Sequence, residues 1–98
     1  MAYQTDATQA AIVAALRAAG CSVCHIASAT GQAGIPDLLV GRRSVNYLLE
    51  VKVRVGKRNP RSASLSPGQV EWHRNWRGAP VWIVTTPEEA LRAVGVRI

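Results

Sequence analysis

The chain has 98 residues, 48% of them hydrophobic and 18% charged, a balance that excludes disorder and fits one domain, 1–98, with a modest core. Its net charge of +6 points to an anionic partner, nucleic acid first, although a charge of this size also serves solubility in a small domain. No apolar run reaches membrane-spanning length and no charged-then-apolar leader opens the chain, so the expected location is cytoplasmic, or intracellular in a host.

Residues 6–19 read as the first helix. Gln9, Ile12, Val13, Leu16 and Ala19 recur at helical spacing, and Gly20 stands where a helix ends. Asp6 with Gln9 three positions on matches a capping box, with Asp6 as the N-cap; the functional alternative brings Asp6 or Gln9 to a metal. Residues 21–27 read as a strand. Cys21 and Cys24 form a lone CxxC within it, but strand alternation turns them to opposite faces, and only His25 and His73 remain as further ligands. Free thiols are therefore expected rather than zinc. His25 near the strand end reads as a structural polar residue, with contact to DNA or proton transfer as the alternative. The small-residue loop 28–34, SATGQAG, suits either a close phosphate or a plain flexible turn.

The hairpin that follows organises the chain. Apolar runs at 37–41 and 45–53 flank a basic turn at 42–44, which predicts two antiparallel strands. With the turn centred between Arg43 and Ser44, opposed residues have numbers that sum to 87, so Asp37 faces Glu50 across the strands. Lys52, two residues beyond Glu50, joins the same face. Two neighbouring carboxylates raise each other's pKa, a conflict that a hard divalent cation removes. Such a cation acidifies water and neutralises a phosphodiester under attack, and Lys52 is suited to orient the water or stabilise the transition state. A plain surface salt bridge is the competing reading, weakened by the apolar runs on either side.

Beyond the hairpin, Arg54, Lys57, Arg58 and Arg61 lie in a Gly- and Pro-containing stretch that reads as an exposed clamp for DNA phosphates, with Arg42 and Arg43 of the turn as further candidates. Residues 66–76 read as the second helix, with Ser66 as N-cap, Pro67 at N1 and Gln69 completing a capping box. Val70, His73 and Trp76 form a stripe expected to be core. Trp72 and Trp76, four apart, fit a core, a dimer seam or a surface for an unstacked base, the first two favoured. An apolar strand at 80–85 and a third helix capped by Thr86, with Glu89 at N3, complete the chain, and 96–98 is a possible short edge segment. The order α-β-β-β-α-β-α predicts an α/β (α+β) fold, a mixed four-stranded sheet flanked by helices with the hairpin central.

Pro36-Asp37 followed by Glu50-Val51-Lys52 resembles the PD-(D/E)XK nuclease signature. The wider pattern GIPDLLVG, NYLLEVK and LSPGQVEWH resembles the small stand-alone VRR-NUC nucleases of phages and bacteria, over residues 6–93. The resemblance implies a restriction-endonuclease-like core and a DNA endonuclease that uses Mg²⁺ or Mn²⁺. Asp37, Glu50 and the Val51 carbonyl would hold the metal and Lys52 would position water. In relatives a glutamine matching Gln69 approaches the site, and a first-helix acid, usually glutamate, helps to complete it. No glutamate stands in this first helix, which leaves three readings: Asp6 substitutes, Gln9 binds through water, or the site is weaker. The resemblance also implies a homodimer, and paired sites would suit branched DNA such as a four-way junction. The alternatives are a DNA-binding relative with an incomplete metal site and an oligomerisation or inhibitor protein that reuses the fold.

Overall fold

The hairpin forms in the register expected from its turn. In the computed structural model, which describes residues 4–53 and 65–98 (side chains from residue 7), β2 (Leu38–Arg42) pairs antiparallel with β3 (Val45–Val51). Leu38 faces Leu49, Leu39 faces Leu48 and Arg42 faces Val45, each pair summing to 87. Arg43 and Ser44 both take positive φ, 50° and 67°. That is the mark of a two-residue type I′ turn, whose twist matches that of the flanking strands.

Four strands make one sheet in the order β1-β2-β3-β4, with β1 (Ser22–His25) antiparallel to β2 and β4 (Trp82–Val84) parallel to β3. Alternation splits the hairpin side chains between two faces. Leu38, Val40, Leu49 and Val51 point to the core, where they meet Ile12, Val13 and Leu16 of α1 (Gln4–Ala18) and Ala90 and Val94, within and just past α4 (Pro87–Ala93). Burying each of these valine, leucine and isoleucine side chains contributes about 1.5–3 kcal/mol. The opposite face of β3 turns Glu50 toward α3 (Pro67–Asn75), which covers it.

Several local expectations need correction. The first helix begins at Gln4, so Asp6 lies inside its first turn and is not the N-cap. The first strand stops at His25; the Ile26 N–H adds one last bond to the Asp37 carbonyl, and the chain then coils into a short helix, α2 (Ile26–Thr30), where strand end and loop were expected. Gly31, at φ 65°, ends it. In α3 the stripe of Val70, His73 and Trp76 is not core: Val70 is 44% and Trp76 47% exposed, and no residue of the helix is buried. Residues 96–98 form no strand. The two remaining caps match expectation: Gln69 N–H donates to Ser66 Oγ, Gln69 Oε1 accepts from the Ser66 N–H, and Glu89 N–H donates to Thr86 Oγ1.

Gly34 controls how α3 sits. At φ 82° its backbone suits glycine, and a Cβ there would collide with the Gly68 carbonyl oxygen and lie 3.2 Å from Trp72 Cβ. The missing side chain lets the segment leading to Asp37 lie directly against the start of α3.

Candidate active site

Asp37 immediately precedes β2, Glu50 is the penultimate residue of β3, and Lys52 follows that strand. Asp37 Oδ2 accepts the Val51 N–H at 2.7 Å, which continues the hairpin ladder by one rung through a side chain and fixes the carboxylate. Glu50 is 1% exposed. Its Oε2 accepts from Gln69 Nε2 at 3.1 Å, and its Oε1 lies 3.3 Å from His73 Nε2. Lys52 Nζ donates to Gln69 Oε1 at 2.8 Å. That oxygen also accepts the Ser66 N–H at 3.0 Å. One carboxamide therefore ties together the start of α3, the ammonium and the buried acid.

Burial pushes the Glu50 carboxyl up to about 9; the hydrogen bond with Asp37 and the charge of Asp37 add to this, and the Lys52 charge opposes it. Burial, and then the nearby Lys52 ammonium, lower His73 below the usual imidazole range. Both shifts leave the Glu50–His73 contact neutral near pH 7, a hydrogen bond rather than an ion pair. An acid so reluctant to ionise beside a second carboxylate is relieved by a cation. The residues fit a hard divalent ion, which is content with two carboxylates and a carbonyl plus waters. Among the described residues no group of three or more His, Cys, Asp or Glu side chains is arranged to hold a metal ion. Cys21 is buried and Cys24 exposed, both as free thiols.

The other expected site residues lie as follows. The Asp6 side chain is outside the described residues, as are Arg54, Lys57, Arg58 and Arg61. Gln9 Nε2 lies 3.1 Å from His25 Nδ1, so the glutamine is engaged with β1. Arg42 Nη1 donates to the Val94 carbonyl at 3.2 Å, at the end of α4, whereas Arg43 is exposed at the hairpin tip. His73 is the residue missed by sequence reasoning. Its position four beyond Gln69 puts it on the same helical face, and that spacing was the available signal.

A sheet that carries paired acids and a lysine on one hairpin, beneath a helix, defines a nuclease of the restriction-endonuclease-like class, and the comparisons agree. The family model described as archaeal Holliday junction resolvase (Hjc) matches residues 5–95, and the chain belongs to that family. A solved structure described as a VRR_NUC domain is 27% identical, with a TM-score of 0.67 over 95% of this chain and 96% of that one. No curated protein matches.

Proposed function

We propose that this nuclease is a divalent-metal-dependent endonuclease that cleaves branched DNA such as a four-way junction. The observation that carries the reading is Glu50, a buried acid facing Asp37, held by Gln69 and His73 and reached by Lys52 through the same glutamine. Asp37, Glu50 and the Val51 carbonyl would hold Mg²⁺ or Mn²⁺, with Asp6 as the candidate to complete the shell. When bound, such an ion supplies Lewis acidity to water and offsets charge on the phosphodiester under attack. Lys52, anchored by Gln69, directs its ammonium to the attacking water or to phosphate oxygen. His73 keeps the Glu50 carboxylate in one orientation. Branched DNA as substrate follows the name of the matched family, and a homodimer would present one site to each side of a junction.

The test is a cleavage panel of plasmid, single strand, duplex and four-way junction with Mg²⁺ or Mn²⁺. Glu50→Ala and Lys52→Ala should each lose activity by at least about a hundredfold. Cleavage that survives both substitutions rejects the assignment. The first helix without glutamate favours one rival, a DNA-binding relative with an incomplete site. Calorimetric titration with Mn²⁺ separates the two, since the rival takes up no metal yet still binds DNA in a salt-sensitive way.

A further inference from the structure

On the flank of α3 lies a cavity of about 370 Å³, lined by Ala33, Gly68, Glu71, Trp72, Asn75 and Trp76. Gly68, Glu71, Trp72 and Asn75 of α3, with Trp76 just past its end, recur at three- and four-residue spacing and so form one stripe along the helix. Gln69 and His73, which reach Glu50, form the neighbouring stripe, so the cavity and the two side chains that hold Glu50 share a helix. The Trp72 and Trp76 rings stack at 4.7 Å between centroids and 14° between planes, and Trp76 remains 47% exposed. Such a pair is apolar surface left in water, and it is not core.

The chemistry of the lining selects the occupant. Among the described residues it contains no lysine or arginine, so these residues are not built for phosphate. It does hold one carboxylate, Glu71, and one carboxamide, Asn75, beside the aromatic pair. A carboxylate accepts from the exocyclic amine of cytosine and a carboxamide pairs with adenine, while indole faces stack on any base. We propose that this cavity receives an unpaired nucleobase of the bound DNA, stacked on the Trp72–Trp76 pair, with the edge of the base turned to Glu71 and Asn75. The assignment rests on the nuclease reading, for it is the strand held beside Glu50 and Lys52 that supplies the base. It gives the enzyme a means to prefer branched or unpaired substrates, because a base within an intact duplex is stacked and cannot enter.

The test is tryptophan emission from the full chain in EDTA, in a Trp82→Phe background that silences the third indole. The probes are a homodeoxycytidine strand, an abasic strand of equal length and a fully paired duplex. The base-bearing strand should quench the emission to saturation, and the abasic strand should leave it near its starting value. Trp76→Ala should weaken binding of the base-bearing strand by about tenfold while leaving the abasic strand unchanged. Trp76→Tyr should restore most of the loss. Trp76 is half exposed, so its variants keep the test available if Trp72→Ala does not fold. Equal binding of base-bearing and abasic strands overturns the proposal. So does a Trp76→Ala protein that keeps full discrimination but turns from dimer to monomer in sedimentation, which would make the pair a seam between copies. Glu50→Ala separates the two readings: unchanged cleavage there sinks the assignment of the active site to Glu50, whereas base discrimination belongs to the cavity and persists in that variant.

Discussion

Gln69 and Glu50 are joined by a 3.1 Å hydrogen bond from carboxamide to carboxyl, and the other end of that carboxamide accepts from Lys52 and from the Ser66 N–H. A helix cap and a reactive centre thus share one side chain. The two roles can be pulled apart. Ser66→Ala removes only the hydroxyl that accepts the Gln69 N–H and should cost about 1 kcal/mol of stability with cleavage nearly intact. Gln69→Ala also releases Lys52 and Glu50, and should lower cleavage by about 10–100-fold with a similar loss of stability. Paired thermal melts and junction cleavage rates check this; equal activity losses in both variants would show that the cap alone matters.

Gly34 and Gly20 offer a matched comparison. Both have φ above 80°, but a Cβ at Gly20 meets nothing within 4 Å, whereas at Gly34 it would strike the Gly68 carbonyl. Gly20→Ala therefore carries only the backbone cost, about 1–2 kcal/mol. Gly34→Ala carries that and must also push α3 away, taking Gln69 and His73 from Glu50. Cleavage by the folded protein should fall only in the Gly34 variant, read as kcat per folded molecule at a temperature below both melting transitions.

The pairing of Asp37 with Glu50 was legible because a period-2 pattern interrupted by one short basic turn allows few registers, and a one-residue slip would have buried the wrong face. The turn type itself was harder to read, since Arg43-Ser44 lacks the usual Asn-Gly signal. The five-residue helix Ile26–Thr30 left no periodic trace to find. His73 was read as core from its apolar neighbours, and that inference fails when a helix lies over a polar patch: α3 buries nothing of its own and spends its inward face on Glu50. The nuclease signature was visible in the order of residues, whereas the carboxamide bridge from Ser66 to Lys52 exists only once the helix has docked.

Arg42 and Arg43, adjacent at the hairpin tip, should separate in solution. Arg42 donates to the Val94 carbonyl and is part of the fold; Arg42→Ala should lower stability by about 1 kcal/mol and leave the salt dependence of DNA binding unchanged. Arg43 is exposed, and if it contacts a phosphate, Arg43→Ala should reduce the slope of log K against log salt by about 1 at unchanged stability. Binding isotherms at a series of salt concentrations, together with urea titrations of each variant, distinguish these outcomes. A reduced slope in the Arg42 variant would return that residue to the DNA interface.

Glu50 makes stability depend on pH in a direction opposite to that of most surface acids. Its carboxyl sits near 9 in the folded chain against an ordinary 4.5, so the folded state binds the proton more tightly than the unfolded state. The contribution is complete below pH 4.5 and is lost as pH rises toward 9. Without metal, the melting temperature should therefore fall between pH 5 and pH 9, and Mg²⁺ or Mn²⁺ should restore it at the alkaline end. Glu50→Gln has no proton to lose and keeps an amide for its neighbours. It should melt above the wild type at pH 8.5 in EDTA, show no metal response and cleave nothing. Parallel pH slopes for the two proteins would mean that Glu50 ionises freely in the fold, and the case for a metal there would lose its electrostatic basis.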